Sequence, residues 1–238
     1  MKKLIALAAI LSLSACGGKK FVKSPVDIMI RDMMDKEAFS IILYDMNVEG
    51  NFSKDYYHQY RVIVTKKDSS TDERITEWKE VSRDFFERNI NNMGMELAAK
   101  SPDGKINKTP APPGYSSYVG NSRYGHWNNR NGNSFWAFYG QYAFMSSMFN
   151  MMNTPVRRSY YNDYSRNYSG RKPYYGPSSG GRKMYGTGST YTSRNRSNSS
   201  WSRNPNARSF RQRVNNSVRR SSSRYSRSSR SRSGGFGK

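Results

Sequence analysis

The last third of the chain sets the tightest limit on how it can fold. Residues 153–238 carry 20 basic side chains against one acid, Asp163, and hold three branched aliphatic residues, Val156, Val214 and Val218. Seventeen of the bases are arginines, and nine tyrosines from Tyr160 to Tyr225 lie among them in a background of Ser, Asn and Gly. So little aliphatic area does not offset the entropy of ordering a chain, and like charges oppose compaction. Residues 153–238 are therefore expected to form a long disordered basic tail.

The charge is segregated. The whole chain carries a formal +23, yet residues 21–152 hold 16 bases and 16 acids. The tail accounts for +19 of the excess. A single cysteine excludes a disulfide framework and a Cys-based zinc site, and two histidines argue against a His-rich metal centre. No cofactor is expected.

The N-terminus reads as an address. Lys2 and Lys3 precede an apolar run from Leu4 to Leu13, broken by Ser12, and small residues follow. This is the three-part pattern of an export signal. Ten residues are too few for a spanning helix, which needs about 20. The segment Leu13-Ser14-Ala15-Cys16 resembles the lipobox of bacterial lipoproteins. That resemblance implies a signal peptide over residues 1–15, cleavage before Cys16, a diacylglyceryl group on its thiol and an acylated new amino group. Residues 16–23 would form the anchor and tether, with two or more acyl chains giving durable attachment to a bilayer. Gly17 stands where Asp favours inner-membrane retention in such proteins, so the resemblance leans to the outer membrane. The alternative is an ordinary signal peptide with a chance cysteine.

Residues 24–100 read as a small α+β domain. Ser24-Pro25-Val26-Asp27 has the pattern of a capped helix start, with a strand as the alternative because Ile28 and Ile30 also alternate. Phe39–Val48 and Tyr56–Thr65 alternate as strands, joined at Gly50-Asn51. Ile42, Tyr44, Met46 and Val48 would share one face, as would Tyr56, His58, Tyr60, Val62 and Val64. Asp68–Glu73 reads as a turn and Ile75–Lys79 as a third strand. Val81–Ala99 reads as a helix on the spacing of Val81, Phe85, Phe86, Ile90, Met93 and Leu97, despite Gly94. The expected unit is helix, three-stranded antiparallel meander, helix. Asp45, Glu49 and Asp55 are expected as solvated acids near the hairpin end, and His58 as a sheet histidine without a catalytic partner.

Residues 101–132 form an aromatic Gly/Pro-rich loop, with Tyr115, Tyr124 and Trp127 among Asn and Gly; sugar rings or bases suit such a surface. His126 beside Trp127 reads as a packed loop residue. From Asn131 to Val156 there is no charge. Residues 133–152 read as one apolar helix, which packs on the sheet, lies in a bilayer interface, or spans or oligomerises.

These features lead to a non-enzymatic, lipid-anchored protein of the bacterial envelope. Its partners would be the membrane, through Cys16, and anionic lipids or polymers, through Arg157, Arg158, Arg208, Arg211, Arg213, Arg219, Arg220, Arg224, Arg227, Arg230 and Arg232. Guanidinium forks match phosphate and carboxylate. The anionic candidates are lipid head groups, lipopolysaccharide phosphates, cell-wall polymers and extracellular DNA. The alternative is a scaffold that binds protein partners through the aromatic loop and apolar helix. An enzyme acting on cell-wall sugars would need two carboxylates across a cleft, and no motif supplies them.

Overall fold

The computed structural model describes residues 22–50, 53–68 and 70–228. Cys16, Arg230 and Arg232 lie outside them, as do the apolar run and the lipobox. The architecture is α+β, with helices packed on an antiparallel sheet.

The first helix, α1 (Pro25–Asp32), starts where its cap predicts: the Ser24 hydroxyl accepts the Asp27 N–H at 3.4 Å. Strands β1 (Ala38–Glu49) and β2 (Asp55–Thr65) pair antiparallel along their length. The sheet is larger than a three-stranded meander. It has six strands in the order β3–β2–β1–β5 (Glu96–Lys100)–β6 (Ile106–Asn107), with β3 (Thr71–Ile75) and β4 (Lys79–Val81) lying in turn along the outer side of β2. Residues 71–73, expected in a turn, belong to β3.

The helix expected over Val81–Ala99 is two elements. Helix α2 (Arg83–Asn89) is capped by Ser82, and strand β5 (Glu96–Lys100) then pairs with Phe39–Ile42 of β1. Gly94 takes a φ of +77° in the reversal between them, a conformation that a helix interior does not contain. The alanines at 98 and 99 suit a helix on propensity. Here they complete the backbone hydrogen bonding of a central strand that would otherwise be an open edge. Strand β6 (Ile106–Asn107) closes the sheet.

The register of β1 slips between Leu43 and Asp45, so Tyr44 is an extra residue in the ladder. This bulge resets the alternation. Phe39, Ile41, Leu43 and Met46 share one core with Tyr60 and Val62, while Ile42 and Ile63 face the other. The four-residue face expected from Ile42 to Val48 is thus broken at the bulge.

Both faces of the sheet are covered. On one, α1, α2, Ile90 and Leu97 pack with Trp201, Ala207 and Val214. On the other, Tyr115, Tyr118, Tyr124, Trp136, Tyr142 and Phe149 pack with Tyr164 and Tyr174. Residues 133–152 do not form one helix. A hairpin of β7 (Gly125–Arg130) and β8 (Asn133–Phe138) turns at Asn131-Gly132, both at positive φ, the pairing that a tight two-residue hairpin turn requires. A 3-10 turn (Gly140–Tyr142) and a one-turn helix α3 (Met145–Met148) follow. No helix among the described residues is long and apolar enough to cross a membrane.

The largest correction concerns the tail. Residues 153–228 contain α4 (Arg158–Asn167), a small hairpin of β9 (Ser178–Ser179) and β10 (Arg182–Lys183), α5 (Thr190–Asn195), α6 (Ser200–Arg203) and α7 (Ala207–Ser228). Tyr164, Tyr174, Tyr185, Tyr191 and Trp201 are each buried to within 4% of full. An aromatic side chain buries about 150–250 Å², so these rings supply the apolar area that a count of aliphatic residues misses. The segment is held at the β1 bulge. The Asp45 carboxylate accepts the N–H of Ser200 at 2.6 Å and of Trp201 at 3.1 Å, at the start of α6. The Arg196 guanidinium lies 3.4 Å from the centre of the Tyr44 ring. Asp45 is accordingly buried, against the expectation of a solvated acid.

Candidate anion-binding groove

The turn Gly180-Gly181 joins β9 to β10 with both glycines at positive φ, which sets Arg182 and Lys183 side by side on the returning strand. Ser189 caps α5 by accepting the Thr192 N–H at 3.2 Å, and Ser199 caps α6 by accepting that of Ser202 at 3.1 Å. The first turns of α7 then cross this region with Ala207 and Val214 facing the core and Arg208 and Arg211 beside them. The result is an open groove of about 700 Å³. Its polar lining includes Arg182, Arg208, Arg211, Ser193, Ser197 and Ser202, and no acidic side chain lines it among the described residues.

The backbone aims two of the three guanidinium groups. Arg182 donates to the Gly188 carbonyl at 3.1 Å, to that of Ser189 at 3.3 Å, and to the Ser193 hydroxyl. Arg211 donates to the Thr187 carbonyl. Gly188 permits this approach, because a Cβ there would meet the Arg211 guanidinium at 2.8 Å. Arg208 is exposed. The cluster is short of negative charge. Burial, then the neighbouring Arg208 charge, pulls the Arg211 pKa below its ordinary value. Burial, then Arg211, does the same to Lys183, whose ammonium sits 3.6 Å from the centre of the Tyr175 ring. Carbonyl oxygens and a ring face offset these charges in part. An anion would offset them more fully, and the forks and serine hydroxyls match the acceptors of a phosphate or sulfate group.

The arginines singled out in the sequence are dispersed. Arg208 and Arg211 meet in the groove. Arg157 lies 5.6 Å from the Phe135 ring centre and Arg158 5.8 Å from that of Trp127, on the β7–β8 hairpin. Arg213 lies 5.7 Å from Phe210. Arg219 and Arg220 are exposed further along α7, and Arg224 and Arg227 fall in its last turns. The groove residue missed in the sequence is Arg182. Its signal was the Gly180-Gly181 pair, a two-residue hairpin turn followed at once by two bases.

Neither histidine joins the groove. His58 is fully buried against Phe85 and Phe86, with its Nδ1 3.1 Å from the Tyr60 hydroxyl. His126 is exposed and stacks on Tyr139. Among the described residues, no group of three or more His, Cys, Asp or Glu side chains is placed to hold a metal ion. No protein-family model matches the chain, no curated protein is similar to it, and no solved structure matches its fold.

Proposed function

We propose that this protein is a non-enzymatic, lipid-anchored component of the bacterial envelope that holds anionic envelope material in the Arg182–Arg208–Arg211 groove. The observation that carries the reading is the convergence of three guanidinium groups and three serine hydroxyls on a concave surface without an acid. The anion is a phosphate-bearing polymer or lipid head group; longer ligands would run on to the exposed arginines of α7. The lipobox supports attachment through Cys16, with the outer membrane favoured.

Binding to linear polyphosphate, followed by calorimetry from 50 to 400 mM salt, tests the groove. Affinity should fall linearly on a log–log plot, and Arg208→Gln should lower the slope by about one while leaving the fold intact. A slope unchanged by Arg208→Gln would place binding elsewhere. Cys16→Ser tests the anchor: the variant should lose its acyl label and leave the membrane fraction, and retention of both would refute that part of the proposal.

A second reading, a scaffold that binds protein partners, is favoured by Tyr139, Phe144 and Met152, which are 41%, 41% and 77% exposed. All three lie in residues 133–152; Tyr115, Tyr118 and Tyr124 of the aromatic loop are buried in the core.

A further inference from the structure

A second groove, of about 580 Å³, has a different chemistry. Asn107, Ser116, Asn121 and Ser169 line it with amides and hydroxyls, and Tyr161 of α4 adds an aromatic ring. Its two charged lining residues neutralise each other, with Lys105 Nζ 3.1 Å from Asp103 Oδ2 at the rim. The volume lies within the usual range for small-ligand sites, about 300–1,000 Å³.

The lining is held in place from beneath. Glu96 is buried, and its carboxylate accepts the N–H of Gly114 at 3.1 Å and of Ser116 at 3.3 Å, together with the Ser40 hydroxyl. The Ser116 hydroxyl in turn lies 3.0 Å from that of Tyr164, and Asn107 donates to the same Tyr164 oxygen at 3.2 Å. Ser117 is 4% exposed, and its hydroxyl has no hydrogen-bond partner among the described residues. Gly120, at a φ of +79°, packs closely against the Tyr161 ring, where a Cβ would come within 2.4 Å of it. That close fit fixes the ring as one wall.

We infer that this groove binds a neutral saccharide of two or three units. A sugar presents alternating donors and acceptors, which side-chain amides and hydroxyls match because each can play either role. Its C–H face packs on an aromatic ring. An anion meets a lysine already paired with Asp103, and an apolar ligand would take water from the polar lining and return no hydrogen bond. This site is independent of the arginine groove in residues and in chemistry.

The test is calorimetric titration of the protein with chitotriose and with maltotriose in 0.5 M salt, where binding in the arginine groove is suppressed. At least one of them should bind with a Kd below 5 mM. Tyr161→Ala should weaken it tenfold or more, whereas Tyr161→Phe, which keeps the ring, should stay within threefold. Asn121→Leu should weaken it at least fivefold, with the thermal midpoints of all variants reporting the fold. Failure of both sugars to bind at 20 mM would overturn the inference, as would binding that Tyr161→Ala and Asn121→Leu leave unchanged. Polyphosphate binding at low salt should be unaffected by either variant, so the two grooves succeed or fail separately.

Discussion

Two buried titratable groups, one on each face of the sheet, should give the stability of this protein a distinctive pH profile. Burial pushes the Glu96 carboxyl from 4.5 up to about 7, against the hydrogen bonds that Ser116, Ser40 and Gly114 give it. Burial pulls the His58 imidazole from 6.5 down to about 3. The signs are opposite. Between pH 4.5 and 7 the folded protein keeps a proton on Glu96 that the unfolded chain has lost, so stability falls as pH rises. The full loss across that window is about 3 kcal/mol, at roughly 1.4 kcal/mol per pKa unit. Between pH 3 and 6.5 the unfolded chain holds a proton on His58 that the folded protein refuses, so stability rises with pH. That rise totals about 5 kcal/mol, of which about 3 falls above pH 4.5.

The two slopes therefore cancel from about pH 4.5 to 6.5, and the wild-type protein should show a plateau there. Urea unfolding midpoints at pH 4.5, 5.5, 6.5 and 7.5 read this directly. Glu96→Gln keeps the shape and removes the titration, so its stability should climb by about 3 kcal/mol from pH 4.5 to 7. His58→Gln should instead decline by about 3 kcal/mol over the same range. The double variant should be flat again. Each substitution also shifts absolute stability, but the slope is what is read. If both single variants ran parallel to the wild type, neither group would titrate as the structure places it, and the reasoning from burial would be refuted.

Asp45→Asn should cost about 1–3 kcal/mol, because a buried carboxylate that accepts the N–H groups of Met46, Ser200 and Trp201 is replaced by an amide that also presents donors; unfolding should show the loss, and protease should cut sooner near Ser200. An unchanged midpoint would mean that the α6 cap does not hold the C-terminal segment. Trp201→Ala removes a ring packed between Phe86 and Phe210, at 5.7 and 6.3 Å, and should cost about 3–5 kcal/mol. Loss of the segment alone, with the sheet still cooperative, would show that residues 153–228 are an appendage and not part of the core.

What the sequence made legible followed from local rules. The Ser24 cap, the two long strands and the face of β2 from Tyr56 to Val64 depend on side-chain chemistry and spacing within a few residues. The failures share a cause: each element is decided by a distant partner. Residues 96–100 have the composition of a helix end and become a strand because β1 needs a neighbour. The Tyr44 bulge is invisible in a period-two pattern, yet it presents Tyr44 to Arg196 and Asp45 to α6. The hairpin turn at Asn131-Gly132 was a local signal and was overridden by the uncharged run around it.

The tail shows most clearly why the candidate site was only half visible. Charge and aliphatic content argue for disorder when residues 153–238 are taken alone. The calculation changes once a preformed sheet offers two apolar faces, because Tyr164, Tyr174, Tyr185 and Tyr191 then bury their rings without needing a core of their own. Ordering has a functional consequence. A disordered chain spreads its arginines and binds polyanions by average charge, with no preferred geometry. Folding leaves Arg157, Arg158 and Arg213 exposed beside aromatic rings, away from the groove, and concentrates Arg182, Arg208 and Arg211 on one concave surface. If that difference governs binding, a synthetic peptide of residues 178–220 should bind polyphosphate more weakly than the intact protein at equal salt, although it carries the groove arginines. Equal affinity would mean that charge density alone suffices and that the groove geometry contributes nothing.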